Sequence, residues 1–300
     1  MTTVLALIKR NVKLFFKDKG MFFTSLITPA ILLVLYATFL GKVYRDSFTA
    51  NLPATLALSE KLINGLVGGQ LISSILAVSA VTVSFCSNFL MVQDKASGAL
   101  RDLTISPVRP AALSLGYYVA TLVSTLTICF AATAICLAYM AAVGWYLSLA
   151  DVLLLLLDVL LLVLFGTALS SIINFFLSSQ GQISAVGTIV SSGYGFICGA
   201  YMPISSFAEG LQKVISFLPG TYGTALMRNH AMRGALAEMQ REGIPAAVID
   251  AIKDSIDCNL YFFENSVSHG AMYAVLCVTV ALLIAVYIGM NVLKSKRWNQ

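Results

Sequence analysis

One run constrains this chain more than any other. Residues 152–177 read VLLLLLDVLLLVLFGTALSSIINFFL, with Asp158 as the single charge. A water-facing helix alternates apolar and polar faces; this run does not. About 20 apolar residues in a helix match the ~30 Å hydrocarbon core of a bilayer. Comparable runs lie at 22–40, 71–92, 113–142, 183–202 and 271–293. Backbone polar groups in lipid must be satisfied internally, so spanning structures are helices or closed barrels. Continuous rather than alternating apolar runs select helices. The expected fold class is an all-α polytopic membrane protein. Its 58% hydrophobic and 11% charged residues agree, since soluble domains carry roughly 25% charged residues.

Charge sets the expected orientation. Eleven of the nineteen Lys and Arg residues fall in short segments on one side: Lys9, Arg10, Lys13, Lys17, Lys19, Lys95, Arg101, Arg109, Lys294, Lys296 and Arg297. The positive-inside rule puts that side, and both termini, in the cytoplasm. These charges orient the chain in a membrane and leave no nucleic-acid footprint. The whole chain, 1–300, reads as a single transmembrane domain in the cytoplasmic membrane.

Residues 1–20 predict an interfacial amphipathic helix. Leu5, Ile8, Val12 and Phe15 or Phe16 form one face, and Lys9, Lys13 and Lys17 another. Pro29 should kink the first span. Residues 41–69 read as external. The second span, 71–92, is rich in small polar residues, among them Ser84, Ser87 and Asn88. Such residues either hold helices together in lipid or line a substrate path. The path reading names Ser84, Phe85, Asn88 and Phe89, with Tyr194 and Tyr201 from the fifth span. In the fourth span, Asp158 follows Asp151 by seven residues, on one face and ~10 Å apart along the axis. A carboxylate at that depth must face protein or a cavity. It has either a structural partner or a transport role. Gly187, Ser191, Gly195 and Gly199 recur every four residues. This small-residue ladder predicts close helix contact, plausible at a subunit interface. Residues 203–268 read as external, with a short amphipathic helix, a turn at Pro219–Tyr222 and a small helical insert over 228–264.

Several chemistries find no motif. The sequence contains no GxxxxGK[ST], no HExxH and no GxSxG, and its two histidines fall in the external stretch or at its edge. Five of six cysteines sit in apolar runs, without metal-site spacing. Neither a metal nor a cofactor bound by this chain is expected. Any uphill transport must draw its energy from a partner or from an ion gradient.

The segment 94–109, DKASGALRDLTISPVR, separates two long spans. Gly98 and Pro107 bracket a short helix. Leu100, Leu103 and Ile105 offer apolar knobs, and Arg101 and Asp102 can pair at a rim. It is either a plain loop or a docking elbow. Asp94, Gly98, Ala99, Leu100, Leu103, Ser106, Pro107, Leu113, Leu115 and Gly116 together resemble the coupling region of type 2 ABC transporter permeases. A second stretch, Met202-Pro203-Ile204, Leu211-Gln212, Phe217-Leu218-Pro219 and Tyr222, is similar to that family's external re-entrant helix pair. The resemblance implies six spans and a coupling helix over 94–106. It also implies a dimer with a second permease subunit, identical or paralogous. Each subunit would dock on a cytoplasmic ATP-binding subunit, which would carry ATP and Mg; this chain would not be an enzyme. The site residues for coupling would be Asp94, Gly98, Leu100, Arg101, Leu103, Ser106 and Pro107. The cargo would be a drug, peptide, lipid or glycolipid. The competing expectation is a secondary transporter with Asp158 as its coupling carboxylate.

Overall fold

The computed structural model describes residues 2–50, 58–105, 108–263 and 265–298. The all-α expectation holds. Thr2–Lys17 forms α1. Asp18 caps α2, Lys19–Leu35, by accepting a hydrogen bond from the Met21 amide at 3.1 Å. A π turn, Tyr36–Leu40, leads directly into α3, Gly41–Ala50. Ser59 caps α4, Glu60–Ala96, in the same way. Then follow α5, Ala99–Ile105; α6, Pro110–Val143; α7, Leu149–Phe176; and α8, Gln180–Ile197. A 3-10 turn at Ile204–Ser206 precedes α9, Glu209–Ile215; α10, Pro219–Arg241; and α11, Ala246–Ser255. A two-residue hairpin, β1 Tyr261–Phe262 with β2 Asn265–Ser266, leads to α12, His269–Trp298.

Among the described residues, five helices are long and apolar enough to cross a membrane: Lys19–Thr49, Glu60–Ala96, Pro110–Val143, Leu149–Phe176 and His269–Leu293. The fifth expected span is helical as α8, but is shorter and carries Gln180, Gln182, Ser184, Thr188 and Ser192. It ends at Ile197 rather than 202, because Gly199 takes a left-handed conformation (φ +72) that stops the helix.

Helix α4 is the axis of the bundle. Its most apolar window is wholly buried, and α2, α6, α7, α8 and α10 pack around it. Gly166 of α7 explains how closely one neighbour comes. A Cβ there would sit 2.9 Å from the Ala80 carbonyl oxygen of α4, so only glycine lets the two backbones meet. α12 lies outside α7 and α10, and α1 lies against α6.

The segment 41–69, expected to be external, is helical over most of its described length: residues 41–50 prolong the first helix, and 60–69 begin α4. Arg45 ties the two together, 2.6 Å from Glu60 and 2.5 Å from Asn64. The packed ridge of α1 is Leu7, Asn11 and Phe15, with Leu5 and Phe16 exposed. Gly116 admits Leu7 at the α6 contact. The turn expected at Pro219–Tyr222 is instead the first turn of α10, where proline is tolerated because its missing N–H has no partner to lose. Residues 220–232 of α10 are all buried, so the first residues of the expected helical insert, 228–232, pack into the bundle.

Candidate functional site

The short helix of the elbow begins later than the expected 94–106. Asp94 and Lys95 are the last turn of α4, not part of the short helix. Asp94 is buried, and both its oxygens are engaged. Arg10 of α1 grips it with two hydrogen bonds, at 2.8 and 3.2 Å, and the Tyr117 hydroxyl of α6 donates to it at 2.5 Å. Charge-assisted, bidentate contacts of this kind fix geometry as well as energy. The hydrogen bond to Asp94 raises Arg10 further above its already high range. Lys95 points the other way. Its ammonium donates to the carbonyls of Asn174, Phe175 and Leu177, at 2.9, 2.8 and 2.9 Å. Those carbonyls end α7, where unpaired acceptors and the helix dipole favour a cation. Two adjacent side chains thus join the end of α4 to α1, α6 and α7.

Gly98 then turns the chain with φ +86, a left-handed value that an L side chain rarely adopts. The short helix α5 follows. Leu100 and Leu103 are turned partly back onto the bundle core. Leu100 bounds a cavity of about 60 Å³ with Met91, Leu113 and Tyr117. The outward face holds Arg101, Asp102 and Ile105, the last 77% exposed. Of the three expected knobs, Ile105 faces outward, while Leu100 and Leu103 are half-buried against the bundle. Ser106 and Pro107 lie outside the described residues.

The expected substrate-path residues of α4 do not face a path in this structure. Ser84 donates to its own Ala80 carbonyl at 2.7 Å and lies 3.5 Å from Thr167. The Asn88 amide donates to Ser170 and Ser171 of α7, at 3.1 and 2.9 Å. Phe85 is buried, and Phe89 packs over Gly187. Ser84 and Asn88 of the polar strip thus both meet α7. Tyr194 is packed beside Gly220 of α10. Tyr201 is half-buried, with its hydroxyl donating to the Ser191 carbonyl at 3.3 Å. It helps to line a cleft of about 800 Å³ between α2–α3 and α8, with Ile31, Phe39, Tyr44, Ser192 and Phe196.

The ladder on α8 is covered partly by this chain itself. Gly187 faces Phe89, Gly195 faces the Tyr201 ring, and Gly199 lies beyond the helix against Ile204 and Asp257. A different stripe on α8 is exposed: Ser184, Thr188 and Ser192. Each hydroxyl donates to the carbonyl four residues back.

Asp158 has a structural partner. Its carboxylate lies 2.5 Å from His230 Nδ1 and accepts from the Tyr273 hydroxyl at 2.7 Å. Asp151 caps α7 through Ser148 and pairs with Arg233 at 2.5 Å. The two carboxylates do share a face, and that face meets α10. Because Asp151 pairs with Arg233, Asp158 with His230, and Leu162 packs on Gly223, α10 runs antiparallel to α7. His230 is buried within the protein. No group of three or more candidate metal ligands occurs among the described residues.

Arg10, Tyr117 and His230 escaped sequence reading. Arg10 and His230 meet their acids 84 and 72 positions away, and no local spacing marks them. The one available signal was the need of each buried acid for a partner.

The family of ABC-2 type transporters matches residues 2–231. No curated protein matches the chain.

Proposed function

Since the chain belongs to the ABC-2 type transporter family, we propose that it is the permease subunit of an ATP-driven exporter. Its cargo would be a hydrophobic or amphipathic molecule: a drug, peptide, lipid or glycolipid. ATP and Mg would be held by a cytoplasmic ATP-binding subunit docked at α5, and this chain would carry out no hydrolysis. A second permease subunit, identical or paralogous, would complete the dimer. α8 would serve as the sixth span, and the cytoplasmic membrane would hold the chain with both termini inside. The exposed Ser184, Thr188 and Ser192 stripe favours a polar or protein-lined neighbour over lipid.

The observation that carries this reading is the Asp94–Lys95 junction. A push on α5 reaches the end of α4 through the two-residue link at Ser97 and Gly98. From there Asp94 passes it to α1 and α6, and Lys95 to α7. A plain loop between spans needs no such junction. Export then follows if the inward- and outward-facing states bind cargo differently, since a ligand shifts only an equilibrium it distinguishes.

Asp94→Ala tests it. In proteoliposomes holding this chain and its ATP-binding subunit, the variant should lower cargo-stimulated ATP hydrolysis about fivefold or more while the complex still co-purifies. Hydrolysis and transport at wild-type rates would remove the junction from the mechanism.

A further inference from the structure

A groove of about 410 Å³ runs between α6 and α12 at the end of the bundle nearest α5. That volume is within the ~300–1,000 Å³ usual for ligand sites. Ser114 and Tyr118 line it from α6, and Tyr287 and Asn291 from α12, each pair one helical turn apart. Ser114 Oγ donates to Asn291 Oδ1 at 2.6 Å, and the rings of Tyr118 and Tyr287 stack at 5.6 Å. These two contacts fix an antiparallel register. Continued toward α5, that register brings Arg109, the residue before α6, level with the last turns of α12, which contain Lys294, Lys296 and Arg297.

The groove is apolar along its length. Leu115, Ile288 and Val292 are exposed at its rim. They face the bilayer, since α6 and α12 are both long and apolar enough to cross it. Ser114, Tyr287 and Asn291 spend their polar groups on one another. Besides the bond already given, Asn291 Nδ2 donates to the Tyr287 carbonyl at 2.8 Å, and the Tyr287 hydroxyl to the Ser114 carbonyl at 3.3 Å. They ask nothing of a ligand, so the groove suits a hydrocarbon chain.

Its end toward α5 is basic. Arg109 is exposed, and neither α6 nor α12 contains an acidic residue. No side chain caps the start of α6, whose dipole adds positive charge there. An apolar slot open to the bilayer, with positive charge at headgroup level, complements an anionic lipid better than a zwitterionic one. A second copy of this chain fits worse. Packed here about a two-fold axis, it would set basic end against basic end.

We propose that the groove between α6 and α12 binds an anionic phospholipid of the leaflet at the α5 end, with an acyl chain between Leu115 and Ile288 and its phosphate at Arg109. The groove shares Ser114 and Asn291 with the cavity of about 60 Å³ that Leu100 and Thr104 of α5 help to line, so the lipid lies next to the elbow. The inference needs only that the chain lies in a membrane and is independent of the permease reading.

The test uses the full chain in phosphatidylcholine nanodiscs. The probe is phosphatidylglycerol with a diazirine at mid-chain. Labelling should fall on Leu115, Ile288 or Val292, and unlabelled phosphatidylglycerol should displace it about tenfold better than added phosphatidylcholine. Arg109→Gln, a change at an exposed side chain, should weaken labelling about fivefold, the scale of one basic residue at an anionic surface. Ile288→Trp should fill the slot and remove labelling at Leu115 and Val292; if it fails to fold, Arg109→Gln decides. Leu282, exposed on α12 outside the groove, is the control for ordinary lipid contact. Equal displacement by the two lipids, undiminished labelling in Arg109→Gln, or a groove labelled no more than Leu282 would overturn the site. Groove residues labelled in the monomer but shielded in a dimer would make a second copy the occupant, and would overturn it too.

Discussion

Asp158 and Asp94 are buried carboxylates, and each is held by residues from other helices. Asp158 is fully buried between His230 and Tyr273. Replacing it with leucine would strand both partners, and each unsatisfied buried group costs about 1–3 kcal/mol. Asp158→Leu should therefore lower the unfolding temperature in detergent markedly. Asp158→Asn, which still offers a carbonyl to Tyr273, should lower it less. If instead Asp158→Asn kept full stability but abolished transport, the carboxylate would be a transport group and not a fastening. From sequence, Asp158 could be seen to need a partner. Its identity could not be seen, because His230 sits in a stretch whose average polarity reads as external. Asp94 shows the same limit: the acid was legible, its grip by Arg10 and Tyr117 was not.

At the scale of elements, the apolar runs marked the long helices well, and their ends poorly. Hydropathy registers the hydrocarbon core, while α4 has 37 residues and reaches ~56 Å, well beyond the ~30 Å core. Its first ten residues, Glu60–Gly69, include the polar Glu60, Lys61 and Asn64, and so read as external rather than as part of the span. α10 was misread for a different reason. Arg228, Asn229, His230 and Arg233 lower its hydropathy, yet the first three are buried because Asp257, Cys258 and Asp158 supply partners. Mean polarity reports exposure only where such partners are lacking. The α4–α7 contact gives this scale its own test. In Gly166→Val the side chain would meet the fixed backbone at Ala80 and Val81, an overpacking that costs about 1–3 kcal/mol. Lower thermal stability and poorer recovery from the membrane should follow. Wild-type stability would mean that α4 and α7 are less tightly apposed than described.

For the molecule as a whole, α4 unites these parts. One end enters the Asp94–Lys95 junction, its middle is bound to α7 through Ser84 and Asn88, and Gln70 and Ser74 near its other end join Tyr36, Tyr44 and Arg228. The family and the all-α class were legible in the elbow motif and the apolar runs. Which face of α5 points outward was not, because Leu100, Leu103 and Ile105 are equally apolar in sequence and differ only in how the helix lies on the bundle. That face gives the most direct test of the permease reading. Photo-crosslinking side chains would be placed at Ile105 and Asp102, with Leu100 as the inward control, in cells that also make candidate ATP-binding subunits. The account predicts capture of an ATP-binding subunit at Ile105 and Asp102, little at Leu100, and ATP hydrolysis that depends on this chain. Capture of no ATP-binding subunit at either outward position, with export undiminished when ATP is depleted, would contradict it.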